Sequence, residues 1–133
     1  MSKYFIETSV IIEYLRGNKK IVDFINNLEG ELHSSYVCLA ELYEGIWRVK
    51  HQKQLEKTVL DFFRGLVKIY GLDENIALNF GKIRASLKRA GKLIEDLDIL
   101  IAATCIAQQL TLITRNYQHF SRISDLTIIN KNK

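Results

Sequence analysis

Proline is missing from this sequence altogether, and its 133 residues include only two cysteines, three histidines, one methionine and one tryptophan. Without proline there is no Pro-rich linker, and no internal repeat or low-complexity stretch takes its place. We assign the absence of proline no function. Two thiols cannot build a disulfide framework. Cys38 and Cys105 lie far apart in apolar surroundings, so two reduced core thiols are expected, with a single bridge as the alternative. His33, His51 and His119 are scattered, and no Cys/His spacing suggests zinc. No apolar run is long enough to span a membrane. The apolar stretch near Met1 is too short for a signal peptide, so residence in the cytoplasm is expected. Charge of neither sign dominates: the net value is +4, with a pI of about 9.1. That mild excess suits a polyanionic partner and an ordinary solvated surface equally well.

What is present is a regular alternation of short β-type runs and helical stripes. Lys3–Ile6 reads as a strand broken by Glu7-Thr8-Ser9. Ser9 is the expected N-cap of a helix over residues 10–16, closed by Gly17, and a second helix should cover 19–28 up to Gly30. Glu31–Ser35 is the next expected strand. Helices follow from 38 to 49 and through Leu55 to Phe63, then a strand over 66–70. Asp73 should cap the longest helix, with Ile76, Phe80, Ile83 and Leu87 inward and Gly91 as its stop. A connection through Asp96 leads to a helix over 98–109. Strands over 110–114 and 126–129 flank a short helical turn at Tyr117–Phe120. The expected architecture is α/β, with a mainly parallel central sheet of four to five strands flanked by helices. It forms one domain over 1–133, with 130–133 as a polar tail.

Candidate chemistry sits where acidic residues stand at element ends. Glu7 directly follows the first strand, Glu41 lies within an apolar helix, and Asp96 and Asp98 bracket the start of another. A parallel sheet can gather strand ends and helix starts at one edge. Several carboxylates in one cleft repel each other unless a cation neutralises them. Oxygen-only donors suit a hard ion, Mg²⁺ or Mn²⁺, and phosphodiester hydrolysis is the reaction such a site performs. Each residue also has a plainer explanation. Asp96 and Asp98 suit a helix N-terminus, and Glu41 suits a solvated helix face. Glu7 is harder to explain as surface decoration. The basic run Lys82, Arg84, Lys88, Arg89 and Lys92 reads as a solvated helix face. Tyr36, Tyr43 and Trp47 read as core or interface aromatics.

Four segments resemble, in order, the motifs of PIN domains. Tyr4 to Ile12, reading YFIETSVII, is similar to the opening motif, in which a strand ends in Asp-Thr-Asn or Asp-Thr-Ser. Leu39-Ala40-Glu41-Leu42-Tyr43-Glu44-Gly45 is similar to the second, Asp98-Ile99-Leu100-Ile101-Ala102-Ala103 to the third, and Leu112-Ile113-Thr114-Arg115-Asn116 to the fourth. Length and motif wording resemble VapC toxins of VapBC toxin–antitoxin systems. The resemblance implies a PIN-like fold and a metal-dependent endoribonuclease with Mg²⁺ or Mn²⁺ as cofactor. It places Glu7, Glu41 and Asp98 around the metal, with Asp96 assisting as a nearby carboxylate. Thr8, Ser9 and Thr114 would orient carboxylates or water, and Asn116 takes a position where many relatives carry aspartate. Implied partners are an RNA substrate such as transfer RNA, a VapB-type antitoxin, and a second copy in a homodimer.

Glu7 departs from the family pattern, which has aspartate there. One extra methylene moves the carboxylate by one carbon–carbon bond, and misplacement on that scale costs on the order of 10²-fold in rate. The alternative function is therefore a weakened or inactive PIN-fold module that binds RNA or protein. A response-regulator-like phosphoacceptor is a further class. It lacks the lysine expected at a late strand end, where Thr114-Arg115-Asn116 stands.

Overall fold

The computed structural model describes residues 1–132. Five strands form one wholly parallel sheet in the order β3-β2-β1-β4-β5. They are β1 (Lys3–Ile6), β2 (Glu31–Ser35), β3 (Lys68–Tyr70), β4 (Thr111–Thr114) and β5 (Ile128–Asn130). Phe5 and Ile6 of β1, and Leu112 and Ile113 of β4, are completely buried. A strand covered on both faces cannot alternate apolar with polar residues, and these two do not.

Among the described residues, seven helices flank the sheet: α1 (Thr8–Leu15), α2 (Lys19–Asn26), α3 (Tyr36–Ile46), α4 (Gln52–Arg64), α5 (Glu74–Arg89), α6 (Asp96–Gln108) and α7 (Tyr117–Phe120). From β1 the chain moves outward to β2 and β3, then returns through α5 and α6 to β4 on the other side of β1. The strand order therefore reverses between β1 and β4. In open parallel sheets the crevice beyond the strand ends at such a switch is where ligands bind.

Several expectations shift by a turn, for local reasons. The cap of α1 is Glu7 rather than Ser9. Glu7 keeps an extended backbone and its carboxylate accepts the Ser9 N–H, so the helix begins two residues earlier. Ser35 caps α3 in the same way, accepting the Cys38 N–H and starting that helix at Tyr36. Helix α6 begins at Asp96, after Glu95 at its N-cap position. It ends at Gln109, which adopts the left-handed conformation commonly given to glycine. Asp73 caps α5 as expected, accepting the Ile76 N–H. Of the four residues expected inward on α5, Ile76 and Leu87 are buried, and Phe80 and Ile83 are half-buried. Strand β5 takes in Asn130 from the expected tail, and Lys133 lies outside the described residues. Cys38 and Cys105 are both free and buried. Burial pushes the Cys38 thiol up to about 12, so it stays protonated. Trp47 and Tyr36 are largely exposed rather than core. No helix among the described residues is long and apolar enough to cross a membrane.

Candidate active site

The switch between β1 and β4 is spanned by side chains. Glu7 follows the last residue of β1, and its N–H donates to the Ile113 carbonyl of β4 at 3.1 Å. Glu7 is 3% exposed, a burial an ionised carboxylate tolerates only with donors around it. Three are supplied. Thr114 Oγ1 and Ser9 Oγ each donate to Glu7 Oε1 at 2.5 Å, and the Ser9 N–H donates to Oε2 at 3.1 Å. An ionised carboxylate offers about four lone-pair positions, so Oε2 keeps one free. Thr114, itself fully buried, accepts the Asn116 N–H on the same hydroxyl at 2.9 Å. Ser9 Oγ likewise accepts the Arg115 N–H at 3.1 Å. The β1–α1 corner and the end of β4 are thus one hydrogen-bonded unit.

Glu41 comes to the same edge from α3, where Thr8 Oγ1 donates to its Oε1 at 2.6 Å. Asp98 comes from the first turn of α6, with His119 Nδ1 3.4 Å from its Oδ2. All three carboxyls titrate above their ordinary range. For Glu7 burial is the main cause, opposed by the Ser9 and Thr114 donors and reinforced by the charge of Asp98. For Glu41 burial again leads, opposed by Thr8 and reinforced by Glu7, Asp98 and Glu95. For Asp98 burial is opposed by His119 and reinforced by Glu95. Positions 7, 41 and 98, remote in sequence, share one electrostatic neighbourhood.

The donor chemistry of that neighbourhood fits a hard divalent cation. It offers carboxylate oxygens whose repulsion a cation would relieve, and the nearby Cys38 thiol is held protonated. As the side chains stand, no group of three or more His, Cys, Asp or Glu among the described residues is gathered as a ligand shell. The fit is therefore one of donor type and charge.

Asp96 turns away from this group: it is exposed and pairs with Arg84 Nε at 2.9 Å. Its neighbour Glu95 is the residue whose charge reaches Glu41 and Asp98. Sequence reasoning missed Glu95 and His119. Glu95 was legible only as part of a connection, although an acidic residue just ahead of α6 is a usable hint. His119 sits in the four-residue α7, and nothing local marks it. Asn116 is exposed at the end of β4, lining a polar cleft.

Residues 4–126 match the family model described as PIN domain. Among curated proteins, a ribonuclease VapC1 of Methanocaldococcus jannaschii is 35% identical over 93% of this chain and 83% of its own length. A ribonuclease VapC2 of Rickettsia felis is 30% identical over 98% of each. Among solved structures, DNA-bound VapBC from Salmonella typhimurium superposes with a TM-score of 0.89 at 25% identity, covering 98% of both chains.

Proposed function

Because this chain belongs to the PIN-domain family, we propose that it is a metal-dependent endoribonuclease, the toxin component of a VapBC-type toxin–antitoxin system. The observation that carries the reading is the convergence of Glu7, Glu41 and Asp98 on one electrostatic neighbourhood at the β1–β4 switch. Curated relatives called ribonuclease VapC support the reaction class. Glu7, Glu41 and Asp98 would hold Mg²⁺ or Mn²⁺. When bound, such an ion supplies Lewis-acid stabilisation of phosphate charge and lowers the pKa of coordinated water.

The chain's own residues prepare the rest. Ser9 and Thr114 hold Glu7 in one orientation, leaving a lone pair of Oε2 uncommitted. Thr8 fixes one oxygen of Glu41. His119 approaches Asp98 to 3.4 Å at the edge of the site. Glu95 adds negative charge that strengthens the demand for a cation, and Asp96 acts from outside through its pair with Arg84. Asn116 presents an amide where a fifth carboxylate would add repulsion.

An apolar groove of about 440 Å³ opens beside Glu41, walled by Ile12, Leu15, Leu42, Ile46, Val49 and Leu55. It supports a complex in which a segment of a VapB-type antitoxin lies across the site. Structural neighbours that are VapBC assemblies agree with that partner. We include a homodimer and a structured RNA such as transfer RNA in the reading.

Purified protein should cleave RNA with Mn²⁺ or Mg²⁺ and lose that activity with chelator and in Asp98→Asn. No cleavage under these conditions, with none recovered in Glu7→Asp, would sink the enzymatic reading. Glu7 favours one second reading, a binding module without catalysis, since its carboxylate is already committed to three internal donors. Calorimetric titration separates the two: an inactive module shows no divalent-ion uptake that depends on Asp98.

A further inference from the structure

Immediately beside the carboxylates lies a cleft of about 390 Å³, within the ~300–1,000 Å³ range of small-ligand sites. It opens beyond the ends of β4 and β5. Its walls are the run from Arg115 through Asn116 to His119, with Asn130 and Asn132, and no acidic residue is among them. His119 is shared with the site through Asp98, and Arg115 is anchored to it through Ser9. The cleft is therefore adjacent to the carboxylates.

We propose that this cleft is a nucleotide subsite that holds one unpaired base of the RNA next to the bond being cut and reads its edge. The inference rests on the ribonuclease reading above and names how that site selects its substrate. The lining matches the task group by group. Single-stranded RNA is recognised by stacking bases on aromatic rings and hydrogen-bonding their edges. Tyr117 is 44% exposed, so its ring is open to a ligand. Gln118, Asn130 and Asn132 carry amides, each with both donors and an acceptor, the pairing needed for a base edge. These residues are exposed, and Asn130 Oδ1 accepts the Asn132 backbone N–H at 3.0 Å. The donors on Asn130 and both ends of Gln118 and Asn132 have no side-chain bond recorded among the described residues.

Phosphate would be held on the far wall. Arg115 also borders a small cavity with Asn18, Lys20 and Lys131, which extends positive charge away from the carboxylates. Arg115 Nη1 lies 3.5 Å from Glu13 Oε1, and its buried Nε has no hydrogen-bond partner among the described residues. The Arg115 side chain is 31% exposed, so its outer guanidinium nitrogens can meet a phosphate oxygen while Nε stays buried. A plain solvated surface would explain any one of these side chains. It does not explain a concave, carboxylate-free, amide-lined cleft sharing a wall with the acidic centre.

The test uses single-stranded hexanucleotides that differ in one central base. Their binding to the full chain is read by fluorescence anisotropy in chelator, and cleavage sites on a random-sequence RNA are mapped with Mn²⁺. Wild type should prefer one central base by roughly tenfold over the worst. Gln118→Ala and Asn130→Ala should reduce that preference to within about twofold while the far-ultraviolet spectrum and Tm stay unchanged. Tyr117→Ala should weaken all four hexanucleotides alike, since stacking is indifferent to base identity. Variants that keep the wild-type base profile in both assays would overturn the subsite while leaving the ribonuclease reading intact. Base-selective binding that depends on Gln118 and Asn130, with no cleavage, would keep the subsite and overturn catalysis. Absence of RNA binding by wild type in chelator together with no cleavage under Mn²⁺ would overturn both.

Discussion

Thr114 uses one hydroxyl twice, donating to Glu7 and accepting from Asn116, with no exposure to water. Thr114→Val keeps the shape and removes both bonds. It should cost about 1–3 kcal/mol, the usual penalty for leaving a buried polar group short of a partner, read from urea unfolding. Glu7 gives a second expectation, with a definite sign. Its carboxyl titrates above the ordinary value of 4.5 because of burial. A raised folded-state pKa adds stability that is full below the unfolded value and is lost as pH rises through the folded one. Glu7→Gln lacks that loss. Its stability relative to wild type should therefore climb as pH rises above 4.5, measured without divalent ions. A relative stability that falls over that range would mean the Ser9 and Thr114 donors outweigh burial. The acidic positions themselves were legible, because each stands at an element end among residues that want burial. Their directions were not. Asp96 and Asp98 are two residues apart on one helix, so they point about 200° apart around it, one to Arg84 and one to the site.

At the scale of elements, hydrophobic pattern marked the strands and helices, and side-chain caps set the starts of α1, α2, α3 and α5. The misjudged start of α1 shows the difference. Ser9 is the commoner cap residue, but the longer Glu7 side chain reaches the Ser9 N–H and removes the need for it. No local pattern encodes that choice, because it depends on Thr114 from the far end of the chain holding the carboxylate in place. Gly30 was legible only as a helix stop. The structure gives it a second duty, at φ +149, where a Cβ would run into the Ser2 carbonyl oxygen that receives the Glu31 N–H. Gly30→Ala should destabilise the protein by more than about 2 kcal/mol, because strain and a steric clash add. Chemical denaturation tests this. A change under about 0.5 kcal/mol, the size of an ordinary surface substitution, would mean that β1 and β2 shift apart easily at that end.

For the whole molecule, the parallel sheet turns a line of separated motifs into one edge, and this is what sequence order alone could not display. Spacing of 34 and 57 residues between positions 7, 41 and 98 says nothing about distance until the strand order β3-β2-β1-β4-β5 is known. Relief of repulsion at that edge should be visible globally. Saturating Mn²⁺ should raise the Tm, by an increment equivalent to about 2.7 kcal/mol at a hundredfold excess over Kd. Asp98→Asn should lose most of it. An equal rise in both proteins would place the ion elsewhere.

The double duty of Glu7 bears on how a harmless form of the protein is best made. A substitution there alters the charged edge and, in the same stroke, loosens the side-chain bonds that link the first helix to the fourth strand through Ser9 and Thr114. Loss of toxicity in such a protein would say little about chemistry, since a slackened chain is also a poor enzyme. Asp98 caps nothing and its recorded side-chain partner is His119, so silencing the protein at that position leaves the scaffold standing for a co-crystal with RNA or antitoxin.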